Sequence, residues 1–159
     1  MAVVALDASI RGLDVAQGSG YGGTAKVRCA TVEVNSDDSA TSTYDFGEIP
    51  SSARILGAST AYWDDLASTG APTLDLGLFA NDGNITDDDD ALNDGLDAAT
   101  ASTGTKVVKD LANYGKRAWE LVSGQTTDPG GVLTVKATLK DAAVNVGGSL
   151  TVELWYAID

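Results

Sequence analysis

The densest run of potential ligand atoms is NDGNITDDDD, residues 81–90. Carboxylates and side-chain carbonyls are the hard oxygen donors that calcium prefers, and a glycine can supply the bend that makes them converge. Asp82, Asn84, Asp87 and Asp88 are the candidate calcium ligands. The EF-hand spacing D-x-[DN]-x-[DN]-G-x5-E is absent, because Asp82-Gly83-Asn84 is too compressed and no Glu closes the loop. The competing reading is a solvated acidic turn that caps a following short helix.

Other chemistry has less to stand on. The chain contains no His, which removes imidazole metal sites and every histidine-based triad. The single cysteine, Cys29, has no partner for an internal disulfide and no histidine base to activate it, so it reads as a small buried residue. Asp45, Glu48, Asp64, Asp65, Glu120 and Glu153 are all available for glycosidic chemistry, which needs two carboxyls at a set separation, but their abundance singles out no pair. Neither GxxxxGK[ST] nor GxGxxG occurs, and GSGYGG lacks the strand-to-helix context of a phosphate loop. The expectation is a protein that is not an enzyme and has no cofactor beyond the candidate calcium. Trp63, Trp119 and Trp155, with five Tyr, offer sugar-stacking or protein-contact platforms, or fill the core of a chain with only two Phe.

The elements that must position these side chains are strands. TLDLGLF, 73–79, sets Leu74, Leu76 and Leu78 on one face; VLTVKATL, 132–139, does the same with Leu133, Val135, Ala137 and Leu139. LTVELWYAI, 150–158, turns Leu150, Val152, Leu154, Tyr156 and Ile158 inward, leaving Thr151, Glu153 and Trp155 outward. Further strands are expected at 24–34, with a phase change near Cys29 that suggests a bulge, and at 43–49, 53–60 and 116–122. DDDDALNDGLDA, 87–98, reads as one short helix or a long loop, since Leu92 and Leu96 lie four apart behind a run of Asp. The fold class is all-β, an antiparallel β-sandwich or jelly roll with at most short helical excursions. Residues 24–159 form its single domain. Residues 1–23 form an amino-terminal arm, ending in the flexible GSGYGG and ordered against the body or a neighbouring subunit; an edge strand followed by a mobile loop is the alternative.

At 159 residues the chain is long enough to bury a real core in one domain, and 43% hydrophobic content is too high for an acidic disordered tail. The net charge of −13 is uneven: residues 1–105 carry 17 acidic and 4 basic side chains, whereas 106–159 carry 6 of each. Such a field repels phosphate backbones, so nucleic acid is not an expected partner. No signal peptide and no apolar run of membrane-spanning length is visible, so no membrane partner is expected either.

DFGEIPSSARILGASTAYWDDLASTGAPTLDLGLFANDG, 45–83, resembles tailed-bacteriophage head decoration (cement) proteins with a jelly-roll body. The resemblance is carried by Ile49, Pro50, Ala53, Arg54, Ile55 and Gly57, then by the strand Thr73 to Phe79 and the excursion Asn81 to Gly83. The closing GGSLTVELWYAID, 147–159, resembles the last strand of such proteins. The resemblance implies a noncatalytic protein made in the host cytoplasm and bound to the outer surface of the phage head. There it would bridge neighbouring major capsid proteins as a homotrimer, with a second accessory capsid protein as a further partner. The interface candidates are Tyr21, Pro50, Arg54, Trp63, Trp119 and Trp155. The alternative is a tail-associated or receptor-binding β module recognising surface glycans.

Overall fold

The computed structural model describes residues 24–158. Nine strands run in chain order: β1 Thr24–Val34, β2 Thr43–Pro50, β3 Arg54–Ile55, β4 Thr60–Trp63, β5 Thr73–Phe79, β6 Asp88–Asp97, β7 Ser102–Lys106, β8 Val132–Lys140 and β9 Gly148–Ile158. All pair antiparallel, in two sheets ordered β1-β9-β4-β7 and β2-β8-β5-β6, with the two-residue β3 added beside β9. The chain crosses between the sheets after nearly every strand, and the resulting order is that of a jelly roll. The described helical content is a 3-10 turn, Leu111–Asn113, and the single-turn helix α1, Ala118–Leu121.

Alternation in the sequence fixes which faces meet. Leu74, Leu76 and Leu78 of β5 pack with Leu133, Val135, Ala137 and Leu139 of β8, and against them lie Leu150, Val152 and Leu154 of β9. Each is at most 2% exposed, so these ten side chains form the seam between the sheets. In β2 the register shifts between Asp45 and Glu48, which lets both Phe46 and Ile49 point inward although they stand three apart. Gly47 occupies that shift with φ +91, and Arg28 of β1 crosses over it to donate from Nη1 to the Glu48 carbonyl at 2.7 Å. A side chain at Gly47 would begin 2.4 Å from that guanidinium, so the bulge and the inter-sheet bridge depend on each other.

Five local expectations are corrected. Strand β1 pairs with β9 in one unbroken register from Thr24–Ile158 to Val34–Gly148, with no bulge; its alternation fades because residues 24–29 are exposed on both faces. Cys29 is accordingly exposed, not buried. Residues 88–97 are strand β6 rather than helix or loop: Leu96 stands opposite Leu74 and Asn93 opposite Leu76, and the register shift between them interrupts the strand alternation that the sequence would otherwise show. The segment 116–122 holds α1, closed by the Glu120 carboxylate accepting from the Arg117 amide at 2.6 Å, and 53–60 breaks at a turn into β3 and the start of β4.

Candidate interaction surface

The acidic excursion does not gather its oxygens. The Asn84 side chain accepts from the Asn81 amide at 3.0 Å and donates to the carbonyls of Gly130 and Val132 at 3.1 and 3.2 Å. Asp87 accepts from the Ala80 amide at 2.7 Å, Asp88 from the Ser123 amide, and Asp82 is exposed at a left-handed turn position. Three of the four candidate ligands are thus directed to different backbone groups. Among the described residues no three His, Cys, Asp or Glu converge in a way that could hold a metal ion.

Two of the aromatic and cationic candidates share one face. Opposed residues of antiparallel strands point to the same side. Since Leu150, Val152 and Leu154 face the core, the pairs Thr31–Thr151, Cys29–Glu153 and Val27–Trp155 face outward. Tyr62 opposite Thr151, Thr60 opposite Glu153 and Arg54 opposite Ala157 extend that outer face across β4 and β3. Its polar groups are largely consumed within it. The Glu153 carboxylate accepts from the Trp155 indole at 2.6 Å, Thr31 and Thr151 hydroxyls bond at 2.8 Å, Thr60 donates to the Tyr62 hydroxyl at 2.8 Å, and the Arg54 guanidinium donates to the Gly115 carbonyl. What remains outward is Val27, 53% exposed, with the exposed Cys29 and the half-buried Trp155 ring beside it, and the exposed Glu33 further along β1.

Pro50, Arg54 and Trp119 meet at one end of the sandwich. The segment after Pro50 is clamped by α1: the Trp119 amide donates to the Ser51 carbonyl at 3.1 Å, and the Ala118 amide to the Ala53 carbonyl at 2.7 Å. The Ser51 hydroxyl donates to Asp128 at 2.7 Å; that bond, with the Gly130 amide, holds the Asp128 carboxyl below its ordinary range. Trp119 is half-buried with its indole N–H turned inward. Trp63 belongs elsewhere. It is 6% exposed, its N–H donates to the carbonyls of Asp97 and Thr100 at 3.0 and 2.9 Å, and it floors a shallow groove of about 500 Å³ lined by Gly95, Leu96, Asp97 and 100–105. The groove's lone carboxylate, Asp97, accepts from the Ala99 amide, so no pair of acids faces across it. Tyr21 lies outside the described residues.

Sequence reasoning missed Val27 and Cys29 as surface features, and strand β7. The signal for the first two was the failure of alternation in 24–29, where a one-sided burial pattern gives way to exposure of both faces. Strand β7, STGTK, carries no apolar residue, so periodicity had nothing to register.

No family model matches the chain, and no curated protein matches it either. Solved structures to which the chain is similar include two phage capsids. A chain of the cyanophage Pam1 capsid asymmetric unit aligns with TM-score 0.52 and 20% identity, over 89% of this chain and 90% of that one. A chain of the capsid of Ralstonia phage GP4 aligns with TM-score 0.54 and 17% identity, over 84% of this chain and 85% of that one. At these identities the likeness is one of fold.

Proposed function

We propose that this protein is a noncatalytic component of a phage capsid, and specifically a decoration protein that bridges and stabilises neighbouring major capsid proteins on the outer surface of the head. The observation that carries the reading is the likeness of nearly the whole jelly roll to chains found in two phage capsids. The side-chain chemistry agrees with it, since in the Asp-rich excursion Asp87 and Asp88 accept from backbone amides and Asp89 pairs with Lys140. A small β body present in many copies needs only a modest interface per copy, because binding to the assembled shell and not to free subunits stabilises the shell by mass action. Assembly as a homotrimer lets one such body reach several capsid subunits. The contact end is the clamp of Pro50, Arg54 and Trp119, where a proline, an arginine and an aromatic ring are held on a rigid corner.

Cosedimentation of the purified protein with assembled heads lacking accessory proteins tests this, with isolated capsid subunits as control. Saturation at many copies per head, with no binding to subunits, is the expected result. Binding at one unique vertex, or to cell-surface glycans in place of heads, would transfer the protein to the tail-associated or receptor-binding class.

A further inference from the structure

We propose that Asp82 is a site of spontaneous covalent modification, isomerising to isoaspartate through a succinimide formed with the Gly83 amide, and that the fold withholds the same reaction from Asp94. The inference goes beyond the capsid reading and does not rest on it. The triplet Asn-Asp-Gly occurs twice, at 81–83 and at 93–95, so the same residue types carry the same intrinsic chemistry in two settings. In each, attack of the glycine nitrogen on the preceding side-chain Cγ closes a five-membered ring within the chain. Glycine, without a Cβ, opposes the required rotation least. The nucleophile is the amide nitrogen on losing its proton, and the electrophile is the protonated carboxyl. The Gly83 nitrogen bonds to Asp82 Cγ as the Cγ–OH bond breaks, and the amide proton and the hydroxyl leave as one water. Water then adds to the ring. Addition at Cγ restores aspartate; addition at the former peptide carbonyl carbon breaks its bond to nitrogen and leaves the backbone running through Cγ. One water leaves and one returns, and nothing is oxidised or reduced.

The second triplet is held against both requirements. The Gly95 amide donates to the Asp75 carboxylate at 2.8 Å, which opposes loss of its proton and keeps the nitrogen from turning onto its own neighbour. Lys109 pairs with the Asp94 carboxylate and favours the ionised form, which has no hydroxyl to release as water. Asn93 is 5% exposed and its side chain donates to the Lys106 carbonyl at 2.8 Å, which anchors the triplet within β6. The first triplet lacks these restraints at its reacting atoms. Asp82 and Gly83 are exposed in the turn between β5 and β6; among the described residues no acceptor meets the Gly83 amide and no cation pairs with the Asp82 carboxylate. The turn is closed instead on either side of them, where the Asn81 amide donates to the Asn84 side chain at 3.0 Å. Isoaspartate at 82 inserts one methylene into the backbone between those two residues, and so loosens the bonds that Asn84 makes to the carbonyls of Gly130 and Val132.

The test incubates the native full-length protein at neutral pH in heavy-oxygen water, beside a sample in denaturant. Peptides carrying residues 82 and 94 are then read by mass spectrometry, with fragmentation that separates isoaspartate from aspartate. In the native protein, heavy oxygen and isoaspartate should accumulate at 82 at least tenfold faster than at 94, because the second site must open locally before it can react. In denaturant the two rates should fall within threefold of each other. Asp75→Ala and Lys109→Ala should each raise the native rate at 94 and leave that at 82 unchanged; the half-exposed Lys109 pair keeps the test usable if loss of Asp75 unfolds the chain. Equal rates in the native protein overturn the proposal, as does a native sample without isoaspartate at 82. A preference for 82 that persists in denaturant overturns it too, by assigning the difference to flanking residues, and so does a rate at 94 that neither variant moves while the fold is retained.

Discussion

The two outward faces of the jelly roll are built on the same strand arrangement but carry opposite chemistry. Outside the β2-β8-β5-β6 sheet, Asp45 stands opposite Lys136, whose ammonium sits 5.2 Å from the centre of the Phe79 ring, and Lys140 pairs with Asp89 and lies 3.8 Å from Asp75. Outside the β1-β9-β4-β7 sheet, Val27, Cys29, Trp155, Tyr62 and threonines predominate; of the ionisable groups, Glu153, Arg54 and Lys106 are each tied to an indole or a carbonyl, and the exposed Glu33 stands at the far end of β1. The first face answers its own charges. The second has spent most of its polar groups and, around Val27 and Trp155, left its apolar ones open, so contact with another protein costs little desolvation there. A net charge of −13 therefore coexists with one side on which a protein surface can settle.

The largest expected effect sharpens the first half of that contrast. Strand β6 crosses the outer face of β5 so closely that a Cβ on Gly77 would lie 2.2 Å from the Asp88 carbonyl oxygen and 2.4 Å from the Asp89 Cα. Both obstacles are backbone and cannot rotate away. Gly77→Ala should cost about 3 kcal/mol in urea denaturation, the upper end for an overpacked site. A midpoint unchanged from wild type would mean that the β6 crossing, and with it the placement of Asp89 over this face, is not held in place.

The next effect concerns the other side. If the capsid contact is made at the Pro50–Arg54–Trp119 corner, Arg54→Ala and Trp119→Ala should each weaken head binding at least tenfold, about 1.4 kcal/mol. Lys136→Ala, on the charged face, should leave binding within twofold. Quantitative cosedimentation decides between them, and equal losses from all three would erase the functional distinction between the faces.

A smaller effect tests whether the charged face is as self-sufficient as it looks. The Lys140 side chain is 34% exposed and that of Asp89 41%. Solvent screening reduces such a pair to about 0.5 kcal/mol. Lys140→Met should lower the unfolding free energy by that amount in urea denaturation in dilute buffer, and by less in 1 M salt. An effect insensitive to salt would assign the loss to packing of the lysine stem.

How much of this was readable in advance divides along the same line. Where a strand has one wet and one dry face, as in β5, β8 and most of β9, alternation named the core residues: Leu74, Leu76, Leu78, Leu133, Val135, Ala137, Leu139, Leu150, Val152 and Leu154 are buried, whereas Tyr156 and Ile158 at the end of β9 are only half-buried. Alternation was silent where both faces are wet, which hid the exposure of Val27 and Cys29 and left β7 unrecognised. In β6 two register shifts against β5, with Gly95 at φ +66 donating its amide to Asp75 at 2.8 Å, disrupt the period of two and left a pattern that imitated a helix. The grouping of Pro50, Arg54 and Trp119 depends on hydrogen bonds between segments more than sixty residues apart, which local spacing does not encode.

The smallest expected effect is a difference in sign between the two sheets under acid. At the end of β4, the Ser149 amide and hydroxyl donate to the Asp64 carboxylate at 2.8 and 2.9 Å and hold its pKa below the ordinary value. On β6, a hydrogen bond shared with Asp88, then burial, then the charges of Asp88, Asp89 and Asp75, raise that of Asp90. For Asp64 the unfolded chain binds the proton more readily, so its contribution is present above the ordinary carboxylate pKa near 4 and is lost as pH falls through the lower folded value. For Asp90 the folded chain binds the proton more readily, so its ionised form destabilises the fold above the raised value and that penalty fades as pH falls through it. Asp64→Asn should therefore lower the urea midpoint at pH 7, and Asp90→Asn should raise it. Both differences should shrink between pH 7 and pH 3, the Asp90 difference first. Midpoints that move in the same direction for both variants would show that the crowded carboxylates of β6 are relieved by solvent or by a bound cation, and that the charged face is less closed than its ion pairs suggest.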